Sequence, residues 1–301
     1  MLGKNTATRN SGLASLSYRS VVFVLFFVGG LMIFLLGNNW NSVFPTNDST
    51  LYKWSLPVLF LVLAVALRRS KRFQECWKIA FALFIASFAN VLNWHLGNWL
   101  APLLPVAASK AQEIAVDKLA QCIPVVLSIL LLTRLAGDDL GSIFLKKGNL
   151  RWGLRFGLIS FGIFAVIFAV IAVLQSNAPS REGLTAAGMP LAAIVAAIPW
   201  ILAFAFANAF MEELWFRGIF LRKLSPILGA SASVLVTALV FGSLHFGATY
   251  IAPVERVIFA IVAFGLGLVN GFVMLKTDSI WGSVLFHAGY DLIIIIPVLV
   301  S

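Results

Sequence analysis

Two carboxylates and two histidines lie within stretches of the chain that are otherwise apolar. Glu212 and Glu213 occur in FMEELWFR, His245 occurs in FGSLHF, and His287 occurs in FHAGYD. An ionisable side chain is expensive to place inside a bilayer, and those found there commonly serve a function. These four residues are therefore the first candidates for chemistry.

The first motif combines an ion pair with a second carboxylate. Glu213 and Arg217 are four residues apart, which places them on one face of a helix, and we expect them to form an ion pair. Glu212 lies about 100° round the same helix from Glu213 and is expected to face a polar cavity. A buried carboxylate in that position is a candidate general base.

The other two motifs use the same four-residue spacing. Phe241 and His245 share one helical face, and His287 and Asp291 share another. Asp291 can accept a hydrogen bond from His287 and fix its tautomer, or it can stay protonated and donate to a substrate oxygen. The spacing leaves both roles open.

The depth of these residues in the bilayer follows from the helical rise of about 1.5 Å per residue. If the first helix continues to the basic residues at 222–223, Glu212 lies about 15 Å from the inner boundary, and His287 lies about 14 Å from it. His245 reaches about 16 Å only if its helix begins near Val234, with SPILGASAS as an interfacial turn. On these estimates we expect the three side chains to converge on one polar pocket inside the membrane.

The elements that must position these residues are transmembrane helices. The chain has 301 residues, of which 60% are hydrophobic and 11% are charged, and its mean hydropathy is +0.96. A soluble domain of this length would not tolerate such a surface. The composition predicts an all-α, polytopic transmembrane bundle of about eight or nine spans. The positions of the candidate residues put its catalytic core in the C-terminal half. The apolar segments are 20–36, 51–67, 77–92, 119–132, 153–173, 191–221, 227–246, 256–275 and 280–300.

The net charge of +10 is better explained by membrane orientation than by nucleic-acid binding, because the basic residues lie in short loops. These loops alternate with nearly neutral ones, which predicts a multi-pass protein of the cell membrane with a cytoplasmic N-terminus and an extracytoplasmic C-terminus. The expected partners are the lipid bilayer and a membrane protein or peptide substrate, without nucleic acid, and no oligomeric state is indicated. The basic boundaries contain Lys4, Arg9 and Arg19, then Arg68, Arg69, Lys71, Arg72 and Lys78, then Arg134, Lys146, Lys147, Arg151 and Arg155, then Arg222 and Lys223.

The motifs EExxxR, FxxxH and HxxxD, in this order, resemble those of the CPBP (Abi) family of intramembrane proteases. That family includes CAAX prenyl endopeptidases, bacteriocin-processing and self-immunity proteins, and lysostaphin-resistance-like proteins. The resemblance covers about residues 191–297, whereas residues 1–150 resemble no family and are expected to be N-terminal transmembrane helices. Residues 151–301 are then the helices that contain the protease core.

The resemblance also implies a role for each motif residue. Glu212 resembles the catalytic glutamate, and His245 resembles the histidine of the second motif. His287 with Asp291 resembles the last motif, in which the family often has asparagine at the second position. The supporting residues are Glu213, Arg217 and Phe241.

The expected function is that of an intramembrane endopeptidase in which Glu212, helped by His245, activates a water molecule and needs no cofactor. His287 and Asp291 would stabilise the oxyanion. A metalloendopeptidase with zinc bound by Glu212, His245 and His287 is the alternative chemistry. The alternatives without hydrolysis are a membrane scaffold, a bacteriocin self-immunity protein and a proton-coupled transporter.

Overall fold

The computed structural model describes residues 4–37, 46–103, 109–176, 191–247 and 253–300, and within these ranges its regular structure is helical. The α-helices are α1 (Lys4–Gly30), α2 (Thr46–Arg69), α3 (Trp77–Leu92), α4 (Lys110–Leu135), α5 (Leu150–Ser176), α6 (Leu191–Glu213), α7 (Leu221–Leu228), α8 (Ala230–Phe246), α9 (Pro253–Thr277) and α10 (Trp281–Val300). A single α-helical turn covers Asn98–Leu100. Segments of π-helix follow α1, α3 and α6, over Leu31–Leu36, Asn93–Gly97 and Leu214–Gly218. Short 3₁₀ turns cover Gln74–Cys76, Ala101–Leu103 and Leu140–Ile143.

Seven helical segments of the described chain are long and apolar enough to cross a bilayer, and two shorter apolar helices accompany them. Each of the nine predicted apolar segments overlaps one of these. The prediction of an all-helical, polytopic membrane protein is therefore confirmed. The long segments are Leu16–Leu36, Ser49–Arg69, Gln74–Gly97, Lys110–Leu135, Leu150–Leu174, Leu191–Leu228 and Pro253–Thr277, and the short ones are Ala230–Phe246 and Trp281–Ile295.

Two expectations about helix boundaries are wrong. The helix of His245 does not begin near Val234 after a turn, because α7 and α8 are both helical and only Gly229, with φ of 85°, separates them. The proline and the small residues that suggested a turn lie within these helices, where Ser233 Oγ donates to the Gly229 carbonyl at 2.8 Å. Regular α-helix also does not continue from Glu212 to residue 222, because α6 changes to π-helix after Glu213. The depth estimates that assumed these boundaries no longer apply.

The chain forms two compact units that interleave along the sequence. The first comprises Met1–Phe88 and Ile219–Gly271. Within it α1 packs closely on α8, because a Cβ at Gly30 would lie only 2.5 Å from a Val240 methyl group. The predicted division of the chain at residue 150 remains a prediction.

The second unit comprises Ala89–Gly218 and Phe272–Ser301. Its helices α5 and α10 approach to backbone contact at two glycines, since a Cβ at Gly282 would lie 2.9 Å from the Gly153 carbonyl oxygen. Small residues at a helix contact let transmembrane backbones come close together. The contact fixes α10, which contains His287 and Asp291, against α5.

The loop before α5 is tied to the start of α10 within this second unit. The Ile280 amide donates to the Phe144 carbonyl at 3.1 Å, and Ser279 Oγ donates to the Lys146 carbonyl at 2.8 Å. Lys146 also forms an ion pair with Asp278. These contacts hold the beginning of α10 in a defined place.

Candidate active site

Glu212 and Glu213 lie at the point where α6 changes into the π-helix Leu214–Gly218. A π-helical turn contains more residues than an α-helical turn, and single π-turns within α-helices are frequent at functional sites. Both glutamates are buried, with exposed fractions of 6% for Glu212 and 0% for Glu213. The wider turn follows directly after the two carboxylates.

The predicted ion pair between Glu213 and Arg217 is present. Nη1 of Arg217 donates to Oε1 of Glu213 at 3.0 Å, and both side chains are completely buried. Arg217 remains charged under protein conditions, so a buried guanidinium requires a carboxylate nearby. The pair therefore holds Glu213 as an ionised acceptor.

Glu213 has a second partner that its position in the sequence did not predict. Its Oε1 lies 2.8 Å from Nδ1 of His287, which belongs to α10. A carboxylate oxygen can only accept, so Nδ1 is the nitrogen that donates its hydrogen. This contact orients the imidazole so that its other nitrogen, Nε2, is the one available for chemistry.

Nε2 of His287 lies between two further carboxyl oxygens. It is 3.6 Å from Oε2 of Glu212 and 3.6 Å from Oδ1 of Asp291. Both distances exceed a hydrogen bond but allow strong electrostatic attraction. Both oxygens are buried and have no hydrogen-bond partner among the described residues. Three predicted site residues are thus brought together around one nitrogen atom.

Asn208 also belongs to this cluster, and the sequence analysis missed it. Its Nδ2 donates to Oδ2 of Asp291 at 3.0 Å, and both side chains are buried. Asn208 is four residues before Glu212 on α6, so it lies on the same helical face. An amide at that spacing in an apolar helix was the signal that could have identified it.

The charges of the cluster do not balance. Three carboxyl groups, those of Glu212, Glu213 and Asp291, face one guanidinium and one imidazole. Even when His287 is protonated, two positive charges oppose three carboxyl groups, and an unpaired buried charge is costly. A proton shared among these carboxyl groups and the imidazole reduces the excess of negative charge, so the arrangement suits proton transfer.

His245 and Phe241 lie in the other compact unit. Their rings are 4.4 Å apart, and Phe259 contacts the imidazole edge to face at 4.8 Å. Nδ1 of His245 lies 2.8 Å from the Phe241 carbonyl, which can only accept, so Nδ1 donates. In the neutral ring Nε2 is then the nitrogen that can take up a proton. The convergence of His245 with Glu212 stays a prediction.

No group of three or more histidine, cysteine, aspartate or glutamate side chains among the described residues has the geometry of a metal site. The zinc alternative named Glu212, His245 and His287. Nitrogen and oxygen ligands of zinc lie about 2.0 to 2.2 Å from the ion. Chelation is the direct test of that alternative.

Comparison with known proteins gives one match. Residues 194–293 match the sequence model of the family described as "Type II CAAX prenyl endopeptidase Rce1-like". The matched region contains all three motifs and extends two residues beyond Asp291. No curated protein and no solved structure matches the chain. The C-terminal region of this multi-pass protein is therefore a domain of the Rce1-like type II CAAX prenyl endopeptidase (CPBP) family, which implies a peptidase acting on a protein substrate in a bilayer.

Proposed function

We propose that the protein is a glutamate-dependent intramembrane endopeptidase that hydrolyses a peptide bond of a membrane-associated or lipid-modified protein. One observation carries the proposal: Oε2 of Glu212 is buried without a hydrogen-bond partner among the described residues, 3.6 Å from Nε2 of His287. A carboxylate in this environment can take a proton from water. Its position within the family match supports the same role.

Glu212 removes a proton from a water molecule as the water oxygen attacks the scissile carbonyl carbon. The carbonyl oxygen becomes an oxyanion, which Nε2 of His287 stabilises when it bears hydrogen, and which Oδ1 of Asp291 stabilises when it is protonated and donates. Collapse of the intermediate breaks the C–N bond, and the proton held by Glu212 passes to the leaving nitrogen. His245 assists Glu212 in these transfers. The products are one carboxyl and one amino terminus, so no other reactant is needed.

Glu213 and Arg217 support the reaction without touching the substrate. Glu213 accepts from both Arg217 and Nδ1 of His287, at 3.0 and 2.8 Å. The arrangement keeps the imidazole in one tautomer and one orientation, which fixed catalytic groups require. Phe241 supports His245 in a similar way, because its ring packs against the imidazole with the two ring centroids 4.4 Å apart.

The substrate class follows from the family name and from the membrane setting. The matched family is named for endopeptidases of prenylated CAAX proteins, and we propose a lipid-modified or membrane-embedded polypeptide for this chain. Residues 151–301 form the protease core in this proposal. The N-terminus faces the cytoplasm and the C-terminus the opposite side of the cell membrane.

The first experiment compares Glu212→Gln with Glu255→Gln. Glu255 is an exposed glutamate in the first turn of α9, so it controls for the loss of a carboxylate as such. Terminal peptide mapping of membranes that contain each protein identifies a peptide that the parent cleaves. The kinetics of each variant are then measured with that peptide and, separately, with a farnesylated CAAX peptide. Loss of a general base should lower kcat by about 10²- to 10⁴-fold. Glu255→Gln should match the parent.

Equal cleavage by Glu212→Gln and the parent would show that the glutamate is not the base. A cellular phenotype that persists in Glu212→Gln and in His245→Ala would instead indicate a scaffold or self-immunity protein. Both variants are first compared with the parent for yield and for elution from size-exclusion chromatography. Loss of activity can then be separated from loss of folding.

A further inference from the structure

Asn208 is the one polar residue described in this cluster to which the proposed reaction gives no role. It lies one helical turn before Glu212 on α6 and is 6% exposed. Its amide nitrogen Nδ2 donates to Oδ2 of Asp291 on α10, across 83 residues of sequence. Because Oδ2 of Asp291 is the acceptor, the contact also determines which way the Asn208 amide is turned.

This hydrogen bond decides where the second oxygen of Asp291 points. The last torsion of an aspartate side chain has broad preferences, so the side chain itself does not fix the carboxyl plane. With Oδ2 held by Asn208, Oδ1 lies 3.6 Å from Nε2 of His287. Rotation of the carboxyl plane would move Oδ1 away from Nε2 of His287, the nitrogen that also lies 3.6 Å from Oε2 of Glu212. The environment of Nε2 thus depends on Asn208.

We infer that Asn208 is a positioning residue, which holds Asp291 so that its free oxygen is directed at Nε2 of His287. Among the described residues, Asn208 forms its side-chain hydrogen bond with Asp291, and it acts through that residue. The kinetic consequence rests on the proposed hydrolysis. The consequence for the imidazole of His287 does not, and the two can be measured separately.

The kinetic test is Asn208→Leu, which removes the donor and keeps a side chain that branches at Cγ. Loss of one hydrogen bond to a charged group corresponds to about a 10- to 100-fold decrease, which we expect in kcat with KM close to that of the parent. The pH dependence of kcat should change as well, because the surroundings of His287 change. Ser128→Ala is the matched control, since Ser128 is a buried polar residue of α4 whose hydroxyl donates to Val125 in its own helix. It should leave kcat and the pH profile unchanged.

A double-mutant cycle distinguishes positioning from a general structural effect. If Asn208 acts through Asp291, then Asn208→Leu should cause no further loss of kcat in an Asp291→Ala background. A further loss of the same size in that background would overturn the inference. If Asn208→Leu does not accumulate in membranes, Asn208→Ala takes its place, because it removes the donor and adds no bulk.

The second readout is ¹⁵N NMR of the histidine rings in the reconstituted protein, which needs no substrate. The chain has three histidines, and His287→Gln identifies the signals of His287. Asn208→Leu should move the Nε2 signal of His287 and the pH at which it titrates, while the exposed His95 stays constant. Ser128→Ala should move neither.

Unchanged His287 signals in Asn208→Leu would overturn the inference whatever the kinetics. If the parent proves inactive towards every peptide while the His287 signals do move, the proposed function fails and the positioning of His287 stands. The two proposals can therefore fail independently.

Discussion

At the scale of single residues, the buried Arg217 requires a carboxylate nearby to compensate its charge. Its guanidinium is fully buried, and its Nη1 donates to Glu213, which in turn accepts from His287. Removing one member of a buried ion pair leaves the other charge without compensation. Arg217 therefore couples the stability of α6 to the orientation of the His287 ring.

The first prediction follows from this pair. Arg217→Gln should lower the free energy of unfolding by about 3–5 kcal/mol, because it removes the guanidinium that compensates the buried carboxylate of Glu213. Lys110→Gln is the control, since Lys110 and Glu113 form an exposed pair at 3.3 Å on α4, and such pairs contribute about 0.3–0.5 kcal/mol. Thermal unfolding of both variants in the same bicelles measures the difference. Equal midpoints for the two variants would contradict the role of Arg217.

A second prediction at this scale concerns metal. If Glu212 activates water without an ion, prolonged incubation with a strong zinc chelator should leave kcat unchanged, and elemental analysis should find far less than one zinc per chain. The zinc alternative requires the opposite result, with activity lost on chelation and restored by added Zn²⁺. A zinc-dependent peptidase treated in parallel shows that the chelator works.

At the scale of the elements, the contact of α10 with α5 determines where His287 and Asp291 lie. A Cβ added at Gly282 would lie 2.9 to 3.2 Å from the backbone of Gly153, which cannot move aside without shifting a helix. Gly162, which lies on α5, has no atom within 4 Å of the position that its Cβ would take. The two glycines thus form a matched pair.

The prediction is that Gly282→Ala is less stable than Gly162→Ala by about 1–3 kcal/mol, the usual effect of overpacking. Both variants gain the same helix preference of up to about 1 kcal/mol, so that effect cancels in the comparison. Gly282→Ala should also have the lower kcat, because α10 is displaced from α6. Unfolding midpoints and initial rates measure both effects, and identical values for the two variants would contradict the tight contact.

The sequence predicted contacts within a helix better than contacts between helices. The pairing of Glu213 with Arg217 follows from four-residue spacing, and the order of the apolar helices follows from hydropathy. The contact of Glu213 with His287 spans 74 residues and depends on how α10 packs, which spacing cannot specify. The contact of Asn208 with Asp291 was missed for the same reason. The start of α8 was misplaced because small residues suit both a turn and a membrane helix.

At the scale of the whole molecule, the apolar helices of the described chain determine the sidedness of its loops. Seven long and two short apolar helices give an odd number of crossings if each one spans the bilayer. The first and last of them then begin and end on opposite sides. The basic loops between α2 and α3 and before α5 fall on the same side, which the positive charges predict to be the cytoplasm.

Cysteine labelling tests this topology in intact cells. In a background in which both native cysteines are replaced by serine, single cysteines are introduced at four exposed positions. Lys71→Cys and Lys147→Cys should resist a membrane-impermeant maleimide until the cells are opened, because both replace residues of the basic loops. Ser109→Cys, just before α4, and Glu255→Cys, in the first turn of α9, lie at the opposite ends of the helices and should be labelled at once. The reverse pattern would place the basic loops outside and show that the positive charges of this chain do not set its orientation.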